Sequence, residues 1–301
     1  MNAIGIDIGA TKIKGVVATS SGRILIRREV LTKANREKNE ILRDIISIAD
    51  FLKKESQKKH FNIKGVGIGV PGMIKSGKLI FGGGTLTQLV GLDLAKGIKK
   101  EIGFKVFADN DSNCFALAES YFGAGKHYKR VAGVIWGTGI GGGFIDKNNR
   151  GRNRHRMSVE IGHFVVEPNI KSEPKDACGA RGCVENLASG KNIVRRYYAM
   201  GGKIKNAGVK EIYRSKEKIA KKVLEDAYKY LGMGISILIK RTKPEIVVIG
   251  GGVSSLPQSA YKKLVYYIYR YADKFSSKIV KSKLGNFGGA LGAASLMFRR
   301  K

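Results

Sequence analysis

The stretch that decides the fold is AIGIDIGATKIKGVV, residues 3–17, read together with VAGVIWGTGIGGGFI, residues 131–145. In both stretches β-branched and other apolar residues flank a short turn, and two glycines stand six residues apart. Apolar runs around such a turn are typical of a β-hairpin, and in the first copy the turn carries Ala10, Thr11 and Lys12. Because the same layout occurs twice, the sequence predicts an internal duplication.

Segments with strand and helix patterns alternate between and after the two hairpins. Buried-strand patterns occur in KGVGIGVPG (64–72), KVFA (105–108) and EIVVIGGG (245–252). Helical patterns cover 38–55, 92–103, 112–126, 216–242, 258–272 and 288–297. Strands that alternate with helices predict an α/β layer architecture, and the length of 301 residues suits two domains.

The composition is that of a chain with a large hydrophobic core. Hydrophobic residues make up 43% of the sequence. The longest apolar runs fall well short of the roughly 18 residues that cross a bilayer. Three cysteines are too few for a disulfide framework, and the opening MNAIGIDIGATK predicts a strand rather than a charged leader. We therefore expect a protein of the reducing cytoplasm that does not span a membrane.

The chain is strongly basic, with 56 lysines and arginines against 24 acidic residues and a net charge of +32. Such a charge attracts phosphates, nucleic acid or anionic lipid without choosing among them, and scattered lysines are equally typical of solvated faces in a basic proteome. In one run, RGRNRHRM, the arginines are regularly spaced. Arg150, Arg152, Arg154 and Arg156 stand at alternate positions, which would lie on one face of an extended segment. This run suits polyphosphate or nucleic acid, or forms a solvated loop.

Glycine-rich turns between strands allow backbone N–H groups to approach a phosphate, because a missing Cβ removes the steric barrier. Two facing turns of this kind could hold one triphosphate. A single glycine cluster is weak evidence, since glycines also mark bulges and tight hairpins. The pattern is neither a Walker loop nor a dinucleotide fingerprint, whose glycine spacings differ.

Six motifs in order resemble those of a known family: GIDIGATK, NDSNCFALAE, GTGIGGG, EIGH, CGARGC and PEIVVIGGGV. Together they resemble the ROK family of sugar kinases, within the actin-like ATPase superfamily, over nearly the whole chain. No helix-turn-helix motif precedes the first hairpin motif, so we expect a member of the kinase branch rather than the repressor branch.

The resemblance implies an α/β fold class with two actin-like ATPase (ribonuclease H-like) domains that flank a cleft. It implies a small N-terminal domain of residues 1–110 plus 288–301, to which the last helix returns, and a larger C-terminal domain of residues 111–287, with a hinge near residue 110. The implied ligands are ATP, Mg²⁺ and a hexose, and we expect a homodimer. ATP is expected rather than polyphosphate, because PEIVVIGGGV resembles the family's nucleotide-contacting strand and turn.

The resemblance places the nucleotide on the two glycine turns and on the turn after the last apolar strand. The implied nucleotide-binding residues are Gly5, Asp7, Gly9, Thr11, Lys12, Gly137, Thr138, Gly139, Gly141 and Gly251. Asp7 would orient the magnesium shell, and one carboxylate suffices because Mg²⁺ keeps several waters. Phosphoryl transfer needs positioning and charge neutralisation, and these residues offer both.

Asp111 in ADNDSNC is the expected catalytic base, because it stands between an apolar strand and a helix, where a carboxylate can accept the proton of a sugar hydroxyl. Position alone favours a role for Asp111 as the cap of that helix. The resemblance favours the base, and it places further sugar-binding residues in matched motifs. These are Gly72, Asn110, Glu160, His163 and Glu185.

Two departures from the family pattern concern the sugar. Val159 stands where the family usually has glycine before the glutamate of EIGH, and Thr85 stands where it often has asparagine. We expect glucose as the acceptor, with N-acetylmannosamine, N-acetylglucosamine and fructose as alternatives. A non-catalytic sugar sensor or nucleic-acid binder is the competing class, and the presence of Asp7, Lys12 and Asp111 disfavours it.

A third departure concerns a metal site in the stretch DACGARGCVEN, residues 176–186. The family pattern supplies one histidine and three cysteines to a structural zinc, and here the resemblance implies His163, Asp176, Cys178 and Cys183. Carboxylate is an acceptable zinc ligand, so the set is chemically sound. The alternatives are two idle thiols or a Cys178–Cys183 disulfide, which a reducing compartment disfavours.

Overall fold

The computed structural model describes residues 1–82, 86–149, 156–176, 178–273 and 277–298. Its strands are β1 (Asn2–Ile8), β2 (Lys12–Thr19), β3 (Ile24–Leu31), β4 (Ile63–Val70), β5 (Met73–Lys75), β6 (Lys78–Phe81), β7 (Val106–Asn110), β8 (Arg130–Trp136), β9 (Ile140–Asp146), β10 (Arg156–Val159), β11 (Ile246–Gly250) and β12 (Lys278–Lys281). Its helices are α1 (Lys38–Lys58), α2 (Leu94–Ile102), α3 (Asp111–Phe122), α4 (Val184–Ala188), α5 (Gly190–Ala199), α6 (Val209–Arg214), α7 (Lys218–Thr242), α8 (Gln258–Ala272) and α9 (Gly288–Ser295). Short 3₁₀ turns cover Thr87–Leu89, Ile161–His163, Val253–Ser255 and Gly285–Phe287.

Two five-stranded mixed sheets have the same internal order. The first runs β3-β2-β1-β4-β7 and the second runs β10-β9-β8-β11-β12. In each, three antiparallel strands form a meander and two further strands lie parallel to the first strand of that meander. This repeated order confirms the predicted α/β class and the internal duplication. Lys12 opens β2 instead of lying in the turn, because its backbone already pairs with Leu31 of β3.

The helices form where the sequence offers an apolar stripe and clear ends. In α1 the buried Ile41, Ile45, Ile48 and Leu52 recur at helical spacing and pack against the first sheet. Capping is clear at α2, where the Asp93 side chain accepts a hydrogen bond from the backbone N–H three residues on. Local sequence therefore accounts for these two helices.

The larger core lies in the second half, around α7. Its apolar residues pack with those of α8, α5 and the second sheet in one cluster. The indole of Trp136, at the end of β8, meets the ring of Tyr228 edge-on at 6.0 Å and donates a hydrogen bond to the carbonyl of Ala188. Among the described residues no helix is long and apolar enough to cross a membrane.

The chain passes between the two halves twice, from β7 into α3 and from β12 into α9. Helix α9 packs on the first sheet so closely that a Cβ on Gly5 would lie 1.9 Å from the carbonyl oxygen of Ala290. At Gly67 of β4 the same test gives 1.7 Å to the carbonyl oxygen of Ala293. Helix α3 packs on β8, β9 and α9. The division into two closing domains, with boundaries at residues 110 and 288, stays a prediction.

Candidate active site

A cleft of about 1320 Å³ lies between the two halves, and both line it. From the first hairpin to the start of α3, it brings together the predicted residues Asp7, Gly9, Thr11, Lys12, Gly72, Asn110 and Asp111. From the second half it takes Gly137, Thr138, Gly139, Gly141, Glu160, His163, Asp176, Glu185 and Gly251. The structure thus gathers residues from five of the six motifs around one space.

Gly5 is the exception among the predicted nucleotide-binding residues. It is absent from the cleft lining, and its missing side chain makes room for the backbone of α9. A glycine is required there because helix and strand are in near contact. The predicted role of Gly5 in cofactor binding stays a prediction.

Asn110, and not Asp111, caps helix α3. Its Oδ1 accepts hydrogen bonds from the backbone N–H groups of Ser112 at 2.9 Å and Asn113 at 3.1 Å. Its amide nitrogen donates to the carbonyl of Gly72 at 2.9 Å. These bonds hold β7, the start of α3 and the Gly72 turn together, and they relieve Asp111 of the capping role. The role of Asn110 as a sugar ligand stays a prediction.

Asp111 stands in the first turn of α3 at the wall of the cleft. Its Oδ1 accepts hydrogen bonds from the backbone N–H of Ser112 at 2.7 Å and from the Ser112 hydroxyl at 3.2 Å. Loss of solvation outweighs these bonds and raises the pKa of Asp111 to about 6, with a smaller contribution from the charge of Glu160. A carboxylate with a pKa near neutrality suits a general base.

Asp7 lies at the end of β1, in register with Lys14 of β2. Burial first, and then the charge of Asp111, raises the pKa of Asp7 to about 7, while Lys14 opposes the shift. Two carboxyl groups that disfavour each other's ionisation form a donor set that a divalent cation would stabilise. The residues present therefore fit a magnesium ion, and the role of Asp7 in orienting its shell stays a prediction.

Glu185 connects the sugar motifs to the second glycine turn. Its Oε2 accepts a hydrogen bond from the backbone N–H of Ile140 at 2.6 Å. A Cβ on Gly139 would lie 3.1 Å from its Oε1. Burial raises the pKa of Glu185. Glu160 also lines the cleft and accepts a hydrogen bond from the Ser158 hydroxyl at 2.7 Å.

The four predicted zinc ligands lie together beside the cleft. The Nδ1 atom of His163 lies 2.5 Å from Oδ2 of Asp176, and the Cys178 sulfur lies 3.6 Å from the same oxygen. These three ligand atoms all lie within 4.8 Å of one another. The sulfurs of Cys178 and Cys183 are 3.5 Å apart and both thiols are free, so they form no disulfide. A nitrogen, a carboxylate and two sulfurs are ligands that zinc accepts.

Six cationic side chains that line the cleft lay outside the predicted motifs: Lys14, Lys175, Lys191, Arg195, Lys210 and Lys281. Lys14 follows Lys12 at the spacing of two that places both on one face of β2, so this signal was available in the sequence. Lys191 and Arg195 stand four residues apart on α5, which is a helical spacing with no motif around it. Lys12 itself pairs with Glu29 at 2.5 Å and is 44% exposed.

Two features predicted from the sequence fall outside the described residues. Arg150, Arg152 and Arg154 of the arginine run belong to segment 150–155, and of Arg156 only the backbone is described. Thr85 belongs to segment 83–85. The predictions for these residues stay predictions.

Comparison with known proteins agrees with the geometry. The model of the ROK family matches residues 3–300. A glucokinase of Thermotoga maritima is 30% identical, with 100% of this chain and 98% of the relative covered, and an N-acetyl-D-glucosamine kinase of Yersinia pseudotuberculosis is 30% identical over 99% of both. The solved ROK family glucokinase from Streptomyces griseus, in complex with glucose and AMPPNP, superposes with a TM-score of 0.81 at 27% identity, covering 98% of this chain and 99% of that one.

The likeness of the whole chain to these kinases confirms the predicted actin-like fold of two α/β halves around a cleft. The chain belongs to the ROK family.

Proposed function

We propose that this protein is an ATP-dependent hexose kinase that transfers the γ-phosphoryl group of Mg-ATP to a hydroxyl of glucose. The observation that carries the proposal is Asp111, a carboxylate with a pKa of about 6 in a cleft that also contains two glycine turns. Asp111 accepts the proton of the sugar hydroxyl as that oxygen attacks the phosphorus. The bond between the γ-phosphorus and the β,γ-bridging oxygen breaks, and ADP leaves.

The two hairpin turns hold the triphosphate by their backbone N–H groups, and Lys12 and Lys14 of β2 add positive charge. Asp7 holds the magnesium ion, which neutralises charge on the transferred group. The proposed roles of the two turns are supported by the fact that residues of both line the cleft. The proposal of ATP rather than polyphosphate is supported by Gly251, in the turn after β11, which also lines the cleft.

The sugar lies beside Asp111, with its hydroxyls bound by Asn110, Glu160, His163 and Glu185. Carboxylates accept hydrogen bonds from hydroxyls, and an imidazole accepts or donates them. Glucose is supported by the relatives named glucokinase. The relative named N-acetyl-D-glucosamine kinase makes that sugar the second candidate.

We also propose that His163, Asp176, Cys178 and Cys183 hold one structural zinc ion. The ion would cross-link the turn after β10 to the segment before α4, on which Glu185 stands. It would fix the imidazole of His163 at the sugar end of the cleft. Replacement of one thiolate by a carboxylate predicts weaker binding than with three thiolates.

A coupled assay of ADP release tests the proposed kinase. Purified protein with Mg-ATP is assayed against glucose, N-acetylglucosamine, N-acetylmannosamine and fructose, with ATP and long-chain polyphosphate compared at equal phosphoanhydride concentration. The expected result is the highest kcat/KM with glucose and ATP. Absence of phosphorylation of every sugar would overturn the proposal. A preference for N-acetylglucosamine would overturn only the choice of glucose.

A further inference from the structure

Glu119 is a fully buried carboxylate that the proposed mechanism does not use. It lies on α3, two turns beyond Asp111, and its exposed fraction is 0%. None of the ion pairs among the described residues includes Glu119. Burial raises its pKa. A buried carboxyl group without a cationic partner is costly, so its hydrogen bonds need an explanation.

Both oxygens of Glu119 have partners that lie outside its own helix. Oε1 accepts a hydrogen bond from the hydroxyl of Ser282, which is 163 residues away in the sequence. Oε2 accepts one from the backbone N–H of Ala124 at 3.0 Å. A Cβ on Gly123 would lie 1.9 Å from Oε2, so the end of α3 is shaped around the carboxyl group.

Ser282 is the residue at which the chain leaves the second sheet. Its backbone N–H donates to the carbonyl of Ile249 at 2.9 Å and so extends the pairing of β12 with β11. Its hydroxyl oxygen also accepts from the backbone N–H of Leu284 at 3.3 Å, which turns the chain towards α9. We call residues 282–289 the return segment, because they lead back to the first half.

The return segment contacts the nucleotide side of the cleft in two places. The carbonyl of Asn286 accepts a hydrogen bond from Nζ of Lys14 at 2.8 Å. Gly289 lies so close to Asp7 that a Cβ there would be 2.5 Å from the Asp7 Oδ2 atom. A shift of this segment would therefore displace the Asp7 carboxylate, which is assigned to magnesium, and the Lys14 ammonium group.

We propose that Glu119 is a positioning residue for the magnesium-nucleotide end of the cleft. By binding Ser282 it fixes the return segment against Asp7 and Lys14, and it does so from the same helix that begins with Asp111. The inference rests on the proposed function for the identity of the ligand. It goes beyond that function in linking the catalytic helix to the second connection between the halves.

The variants Ser282→Ala, Glu119→Gln and the double variant test this link. Binding of Mg-ATP is followed by the fluorescence of Trp136, the single tryptophan of the chain, which directly precedes the second glycine turn. We expect each single variant to raise the Kd of Mg-ATP about tenfold, since a hydrogen bond to a charged group is lost. The double variant should be no weaker than the weaker single variant, because the two residues form one contact. The KM for the sugar should stay unchanged.

Ser56→Ala is the matched control, because Ser56 is a buried serine of α1 whose hydroxyl donates to the Leu52 carbonyl at 2.7 Å, outside the cleft lining. It should lower the Tm without changing the Kd of Mg-ATP. A Ser282→Ala variant with lowered Tm and unchanged Mg-ATP affinity would overturn the proposal, as would additive effects in the double variant. Ser282→Ala keeps the test valid if Glu119→Gln fails to fold.

The binding measurement separates this inference from the proposed kinase activity. A wild-type protein that binds Mg-ATP but phosphorylates no sugar contradicts the proposed function, while the effect of Ser282→Ala on the Kd still decides the role of Glu119. A wild-type protein that binds no Mg-ATP overturns both.

Discussion

The two hairpins of the molecule share a fold and differ in what they present to the cleft. The first ends β1 with Asp7 and opens β2 with Lys12 and Lys14, so its wall is charged. The turn of the second, residues 137–139, consists of two glycines around Thr138 and carries no charge, and Glu185 lies behind it. A duplicated architecture has thus placed charged side chains on the first hairpin and an uncharged turn on the second.

The second hairpin also packs against helix α3. A Cβ on Gly141 would lie 2.0 Å from the Ser112 hydroxyl oxygen, on the helix that begins with Asp111. In the first turn a Cβ on Gly9 would lie 3.0 Å from the carbonyl oxygen of Lys12. The second hairpin therefore packs against the helix that carries the proposed base and against Glu185, a proposed sugar ligand, whereas the nearest atom to Gly9 belongs to its own hairpin.

The largest expected effect comes from Asp111, which stands between the two walls. Asp111→Asn should lower kcat by about 10² to 10⁴, because a general base contributes that much. The Kd of Mg-ATP should stay unchanged. Asp109→Asn, two residues earlier on β7, is the matched control and should keep most of the activity, since Asp109 is not among the residues that line the cleft. Normal turnover of Asp111→Asn would contradict its role as the base.

A second prediction concerns Glu185, on the side of the second hairpin. Glu185→Gln should raise the KM for the sugar about 10- to 100-fold, because hydrogen bonds of a charged acceptor to the sugar and to the Ile140 N–H are weakened. The matched change on the first side is Glu29→Gln, which loses the exposed pair with Lys12 and should have little effect. Steady-state kinetics with varied sugar measure both. An unchanged sugar KM in Glu185→Gln would separate the second hairpin from sugar binding.

A third prediction compares the two glycine turns directly. Gly139→Ala should raise the KM for both sugar and ATP about tenfold, because its Cβ would push against Glu185. Gly9→Ala should affect ATP alone, since its nearest neighbour is the backbone of its own turn. Initial rates with each substrate varied in turn test the difference. The same change in the KM for sugar and in the KM for ATP in both variants would show that the two hairpins have the same role.

The pH profile sharpens the role of the charged wall. Asp111 must be ionised to accept a proton, and its pKa of about 6 predicts that kcat/KM falls about tenfold per pH unit as the pH drops below 6. Asp7, with a pKa raised to about 7, titrates in the same direction. As the pH falls, Asp7 therefore takes up a proton before Asp111, and binding of magnesium by the first hairpin weakens before the base is lost. Measurement of kcat/KM from pH 5 to 8 at saturating Mg²⁺ tests this. A rate that rises as the pH falls would contradict it.

The smallest expected effect is that of metal removal, because zinc would lie only in the second half. Chelation should raise the sugar KM several-fold, since the metal would hold the imidazole of His163. The Kd of Mg-ATP should stay unchanged, because Asp7 is not one of the proposed zinc ligands. Elemental analysis of metal-replete protein should find about one zinc per chain. Less than about a tenth of a zinc per chain would reject the site. Asp176→Cys, which restores a third thiolate, should bind zinc more tightly.

Much of the site could be predicted because its signals are local. The glycine turns, the strand alternation and the apolar stripe of α1 each depend on residues within about a dozen positions, so a single stretch of sequence contains the whole pattern. The same holds for His163 and the cysteine motif, whose ligand types identify the chemistry before any distance is known. Lys14 could have been found by the same reasoning, because it shares a face of β2 with Lys12.

Other features depend on contacts between residues far apart in the chain, and no local sequence pattern predicts such contacts. Gly5 reads as part of a phosphate motif, and only the approach of α9 from the other end of the chain gives it a packing role. Asp and Asn are equally favoured at the N-cap of a helix, so the sequence does not choose between Asn110 and Asp111. The hydrogen bonds of the folded chain show that Asn110 is the cap. Local patterns therefore predicted the α/β class, and the resemblance of six ordered motifs predicted the family, because each of these signals lies within a short stretch of sequence. Tertiary packing decided the contact of Gly5 with α9 and the hydrogen bond between Glu119 and Ser282. These contacts join residues far apart in the sequence, so they exist only once both halves are folded.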